Sequence, residues 1–215
     1  MVGIIVDRIF MFLDRIWPPL VAVFITLCIA RLRLPHISIC KEKREGGTVI
    51  PLRLNTGDYT VVFASRFIVK NNSMSTPFRW LIPREVASNV NAKIEVTGLP
   101  PIERHFIMAA RWASSPQIPF VGKDSRLERI YYPDPINIRS GSHEILDFVV
   151  HFHDDDIAYG WNNESYTDLV FRPPQYSLQP GLYCVRVTVT PQNGKEVQKE
   201  FTLDVRKECD ETGLL

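Results

Sequence analysis

From Ile16 to Ala30 the chain reads IWPPLVAVFITLCIA, fifteen residues without a charge, and no other stretch is apolar for so long. At about 1.5 Å per residue, a helix of that length covers about 22 Å, short of the roughly 30 Å hydrocarbon core of a bilayer. Leu32 and Leu34 extend the run if Arg31 and Arg33 reach out to the interface. Pro18 and Pro19 suit a first helical turn, where their missing N–H groups would have no partner. The pattern predicts one membrane helix over about Pro18 to Leu34. Ahead of it, Met1 to Trp17 is apolar except for Asp7-Arg8 and Asp14-Arg15, spaced by seven. On a helix that spacing makes one narrow polar stripe. The stripe fits an extension of the membrane helix with its charges at headgroup level, an interfacial helix, or self-association with a second copy.

Past residue 36 the apolar positions change period. Ile37-Ser38-Ile39 alternates, and Tyr59 to Val69 is rich in β-branched and aromatic residues. Ala87 to Val96 alternates with Val90, Ala92, Ile94 and Val96 on one face. His105 to Trp112 and Glu144 to Phe152 read as strands, and Arg129 to Ile138, with two prolines, as an edge strand. Tyr183 to Thr190 alternates, Asn193-Gly194 is a hairpin turn, and Glu196 to Val205 returns as the last strand. Lys70 to Pro83 and Ser114 to Glu128 read as long loops, Asp154 to Ser165 as an acidic polar stretch, and residues 208–215 as a flexible tail. No βαβ alternation appears. The pattern predicts an anchor over residues 1–36 and an all-β antiparallel sandwich over 37–207.

Leu178-Gln179-Pro180-Gly181-Leu182-Tyr183-Cys184-Val185-Arg186-Val187 resembles the L-x-P-G-x-Y-x-V-x-V turn and strand of immunoglobulin-like and fibronectin-like modules. Arg66 to Asn72 followed by Ala87 to Val96 is similar to paired strands of adhesion-type immunoglobulin-like modules. The resemblance covers about a quarter of the chain. It implies an immunoglobulin-like sandwich and carries no function.

Charge changes this picture only near the helix. The chain of 215 residues has 25 Lys and Arg against 24 Asp and Glu, net +1. Beyond the patch of Arg31, Arg33, Lys41, Lys43 and Arg44 there is no basic excess, which disfavours nucleic-acid binding. The patch itself suits anionic headgroups, and by the positive-inside rule it places the sandwich in the cytoplasm on a single-pass anchor. The alternative is the same sandwich exported and tethered outside the cell. Cys28, Cys40, Cys184 and Cys209 lack CxxC spacing, so a disulfide framework or zinc site is not expected. In an exported domain Cys184 and Cys209 are a candidate pair. Asn71-Asn72-Ser73 and Asn163-Glu164-Ser165 match the glycosylation sequon.

Two clusters invite a chemical reading. His151 and His153 share one face of a strand, and Asp154, Asp155 and Asp156 follow, a pattern that would suit a metal-dependent hydrolase. The competing reading is a strand end with a solvated acidic turn. Tyr159, Trp161, Asn162 and Asn163 suit a recognition loop, or else a Trp anchored in the core with Asn in turns. Arg111 and Trp112 are a candidate cation–π pair. No G-x-S-x-G or P-loop occurs, so neither catalysis nor a cofactor is expected. The expectation is a membrane-anchored binding or scaffolding module with another protein as its partner.

Overall fold

The computed structural model describes residues 2–42, 48–53, 59–75, 78–80, 82–115, 134–166 and 171–215. One helix, α1 (Val2–Arg33), precedes thirteen described strands. α1 runs for 32 residues straight through Pro18 and Pro19, rather than starting at them. Leu34-Pro35 ends it, because the residue before a proline is driven out of the helical region. The side chains of residues 2–16, the two Asp-Arg pairs among them, lie outside the described set. Among the described residues no helix is long and apolar enough to cross a membrane. The expected span is corrected accordingly: its uncharged core is only about 22 Å of helix.

The strands form two antiparallel sheets packed as a β-sandwich. The first sheet orders β1 (Ile37–Lys41), β3 (Tyr59–Asn71), β8 (His143–Phe152), β9 (Ala158–Gly160) and β10 (Ser177–Leu178). In the same sheet β2 (Thr48–Arg53) pairs with β3, and β6 (Arg111–Trp112) with β8. The second sheet orders β13 (Gly213–Leu214), β12 (Val197–Val205), β11 (Gly181–Thr190), β4 (Ala87–Gly98) and β5 (His105–Ala109), with β7 (Ile136–Ile138) also on β4. On β4, Val90, Ala92, Ile94 and Val96 all face the core as the alternation predicts. They meet Val185, Val187 and Val189 of β11 and, across the sandwich, Phe67, Leu146 and Phe148.

Three local features depart from simple alternation. On β8 every residue from Leu146 to Phe152 is buried. The β3–β8 register slips between Ser65 and Arg66, so Phe148 and Val149 both enter the main core. This bulge re-aims the rest of the strand, as an extra residue in a ladder does. Val150 and Phe152 then point outward, into a second small core with Val62, Ala64, Tyr159, Trp161 and Phe171. At the entry to β11, the Tyr183 hydroxyl donates to Gln179 O at 2.7 Å. Gly181 beside it has φ +150, and a Cβ there would run into Ile102. Finally, residues 208–215 are not a flexible tail. They form a 3-10 turn (Cys209–Glu211) and strand β13, which pairs with β12.

Candidate functional site

The two clusters singled out by composition are structural. His151 is fully buried, its Nδ1 lies 2.9 Å from Thr212 Oγ1, and its Nε2 lies 2.8 Å from Asp155 O. A carbonyl only accepts, so Nε2 carries the proton and Nδ1 accepts from the hydroxyl. Burial pushes the ring below the usual imidazole range, against the pull of Asp155 and Asp156. His153 does share the face of His151, but its Nδ1 lies 3.7 Å from the Cys209 thiol. Both histidines therefore face the chain's own C-terminal segment. The carboxylates turn elsewhere. Arg172 donates to Asp154 at 2.6 Å and holds that carboxyl below its ordinary range. Asp155 accepts from Tyr159 OH at 2.8 Å and from Ile157 N at 3.1 Å. Asp156 is exposed. Among the described residues no group of three or more His, Cys, Asp or Glu is placed to hold a metal ion, so the metal reading is corrected.

The aromatic loop is corrected in the same way. Tyr159, Trp161, Asn162 and Asn163 are all buried and cover the outer face of the first sheet. Burial, with the bond to Asp155, pushes the Tyr159 phenol up to about 12. Asn162 Oδ1 accepts from Ser165 N at 3.2 Å, closing a turn. Arg111 does not stack on Trp112. It donates to Asp147 at 3.0 Å, while Arg66 holds the other oxygen at 3.0 Å and lies over the Trp161 ring at 5.5 Å. Burial pushes the Asp147 carboxyl up, and the two guanidiniums pull against it.

What remains exposed is the helix. Every residue from Trp17 to Leu34 is exposed, including Trp17, Leu20, Val23, Phe24, Ile25 and Leu27. These positions circle the helix rather than line one stripe, the pattern of a helix meant to be covered on all sides. The one hydroxyl in the run, Thr26, donates to Ala22 O at 2.8 Å within the helix.

A hydrogen-bonded collar joins this helix to the sandwich. Glu85 N donates to Arg33 O, the end of the helix, at 2.7 Å. Asn71 is fully buried at its centre. Its Oδ1 accepts from His36 N at 3.2 Å, and its Nδ2 donates to Glu85 O at 2.9 Å and Ile138 O at 3.0 Å. Asn72 adds a backbone bond to His36 O at 2.9 Å and a side-chain bond to Ser38 Oγ at 2.9 Å. Three separate segments, at Asn71-Asn72, Glu85 and Ile138, thus converge where the chain leaves the helix. Neither sequon asparagine is an open acceptor, because Asn71 and Asn163 are both buried. In sequence the collar shows only as a polar pair ending a strand, and its long-range bonds leave no local signal.

The basic patch divides. Arg31 and Arg33 sit exposed in the last helical turn. Lys41 is at the far end of β1, roughly 13 Å beyond Ile37 along a strand, where its Nζ donates to Leu214 O at 3.1 Å. Lys43 and Arg44 lie outside the described residues. Between β1 and β12 is an open groove of about 520 Å³ lined by Cys40, Cys184, Lys199 and Phe201. All four cysteines are free, Cys184 and Cys209 included.

No protein family, curated protein or solved structure matches this chain.

Proposed function

We propose that this protein is an immunoglobulin-like β-sandwich binding module held at a lipid bilayer by its N-terminal helix. The observation that carries the proposal is the helix surface from Trp17 to Leu34, apolar around its circumference up to Ala30 and exposed at every residue. Exposed apolar surface of that extent needs a lipid or protein cover. The internal bond of Thr26 and the two guanidiniums in the last turn suit a lipid cover, with Arg31 and Arg33 at headgroup level. The basic excess near the helix favours the cytoplasmic leaflet, whose lipids are anionic.

The immunoglobulin-like reading is supported by strand order. The run β1-β3-β8-β6 follows the A-B-E-D order of those sandwiches, and β12-β11-β4-β5 follows G-F-C with an added C′ strand. The Tyr183 bond to Gln179 O also supports the reading, since a late-strand tyrosine bonded back to the backbone a few residues upstream is a hallmark of those sandwiches. Among the described residues, the open face of the second sheet is the one proposed to meet a protein partner, because the outer face of the first is covered.

Flotation of the full chain with lipid vesicles tests the attachment. Wild type is expected to float, and Phe24→Lys with Leu27→Lys to stay behind while keeping the far-ultraviolet signature of the sandwich. Equal flotation of both overturns the proposal. So does a wild-type chain that stays in solution as a dimer sealed through its helices.

A further inference from the structure

Trp80 is 79% exposed, more than any other described large apolar side chain. Tryptophan is usually well buried, so an indole left in water points to a function for its position. The position is defined by the collar. The segment carrying Trp80 leaves β3 at Asn72, whose N–H bonds to His36 O, and returns to the collar at Glu85, whose N–H bonds to Arg33 O. Both ends of the segment are thus fixed within one hydrogen bond of the chain leaving the helix. Arg79 lies beside the neighbouring turn, its Nη2 3.9 Å from where a Cβ on Gly141 would stand. That turn is itself tied to the collar, because Gly141 N bonds to Asn71 O at 2.7 Å. Arg84 Nη1 donates to Asn72 O at 3.0 Å.

Charge at this end is one-sided. Among the described residues of the segments that make up the collar, Arg31, Arg33, Lys70, Arg79, Arg84 and Arg139 outnumber the carboxylates Glu85 and Glu144, in a chain whose net charge is only +1. An exposed amphipathic indole on a segment that carries Arg79 and Arg84 matches the interfacial layer of an anionic bilayer in both polarity and charge.

We propose that the collar end of the sandwich is a second lipid contact. Trp80 seats at headgroup level, Arg79, Arg84 and Arg139 meet anionic phosphate and carboxylate groups, and the sandwich is held against the membrane instead of swinging from the helix. This rests on the helix being in lipid, and it adds a preferred lipid charge and a fixed orientation. The collar bonds supply the stiffness, since they lock the last helical turn to Glu85 and, through His36, to Asn71.

The test is quenching of tryptophan fluorescence by bromine-labelled lipid, using the full chain in phosphatidylcholine vesicles with and without phosphatidylserine. Trp112 and Trp161 are buried in the sandwich, so Trp17 and Trp80 are the two that report on lipid. Trp80→Phe leaves Trp17 to report the helix, and Trp17→Phe leaves Trp80 to report the collar. Trp80 is expected to be quenched on vesicles containing phosphatidylserine and to lose most of that quenching on neutral vesicles or in high salt. Arg79→Gln with Arg139→Gln is expected to weaken the preference for anionic vesicles on the order of tenfold. Quenching of Trp17 without quenching of Trp80 overturns the collar contact and leaves the helix in lipid. That result, with Trp80 still open to aqueous iodide, is what a protein-docking role for the loop would give. Quenching of neither residue overturns both readings. Equal quenching of Trp80 on neutral and anionic vesicles overturns the charge match.

Discussion

The two sheets treat their outer faces in opposite ways. The first sheet buries its outer face: Val62, Ala64, Val150 and Phe152 lie under Tyr159, Trp161 and Phe171, with the Arg66–Asp147–Arg111 cluster at the border. The second leaves its outer face wet, where Arg186 bridges Glu95 at 3.1 Å and Glu200 at 2.9 Å across three neighbouring strands. A strand buried on both faces becomes a continuous apolar run, and one buried on a single face keeps its alternation. β8 and β4 are those two cases. The contrast separates the two faces: chemistry on the first sheet's outer side holds the fold, and chemistry on the second's lies in water.

Removing Asp147 breaks the covered face most severely. Its carboxylate is 1% exposed and is the shared partner of Arg66 and Arg111, whose side chains are 14% and 3% exposed. Asp147→Ala removes from both guanidiniums the buried carboxylate they share. Stripping one partner from a buried ion pair costs about 3–5 kcal/mol. Urea unfolding should show a loss of that size in the full chain. A loss below about 1 kcal/mol, the ceiling for exposed pairs, would mean that this border is as wet as the other sheet.

The same contrast explains what the sequence discloses. The centre of the second sheet is legible in the sequence, because the alternation of Val90 to Val96 and of Tyr183 to Val187 marks β4 and β11 and the Asn193-Gly194 turn marks the β11–β12 hairpin, whereas β13 at its edge reads as a tail. β8 is legible as a strand, but its two-sided burial is not, since the bulge at Phe148 has no composition of its own. Tyr159, Trp161, Asn162 and Asn163 mislead for a physical reason. The residues that make a good recognition loop, rigid aromatics with hydrogen-bonding neighbours, also make a good cover for a sheet. Strand β2 is hidden by Pro51, which argues against a strand in sequence. The collar is illegible because Asn71 reaches residues 36, 85 and 138, partners that no local pattern records. Of the candidate site, the apolar helix is plain in the sequence, and Trp80 with its arginines is not, being gathered by the fold from separate segments.

A smaller effect comes from His151, where the first sheet meets the C-terminal segment. Burial holds the folded ring below its ordinary value near 6.5, so the unfolded chain binds a proton that the folded chain resists. Stability from the neutral ring is therefore present above about pH 6.5 and is lost as pH falls below it toward the depressed folded value. Protonation also removes the acceptor that Nδ1 offers to Thr212. Urea midpoints should decline on acidification through this window, and His151→Gln should flatten that decline while lowering stability at neutral pH. An unchanged slope in the variant would assign the acid sensitivity to other groups and leave the C-terminal segment held by β13 pairing alone.

Arg186 sets the lower end of the scale. It makes three side-chain hydrogen bonds, to Glu95 and Glu200, which by count looks as strong as the Asp147 cluster. Its environment reverses that impression. The Arg186 side chain is 45% exposed and Glu200 60%, so water screens each pair and replaces each bond when it breaks. The carboxylates raise the guanidinium pKa, yet the group is charged at any working pH, so no pH-dependence follows. Arg186→Ser should leave the urea midpoint where it was, within error, in the assay that registers Asp147→Ala clearly. If the two variants destabilise alike, the second sheet's outer face is structural as well, and the difference between the faces disappears. If Arg186→Ser is silent in folding but weakens capture of a membrane-bound protein partner, the ladder Glu95–Arg186–Glu200 belongs to recognition. The open face is where such a substitution can act without touching the core beneath it, because Val185 and Val187 on either side of Arg186 point inward and stay fully buried.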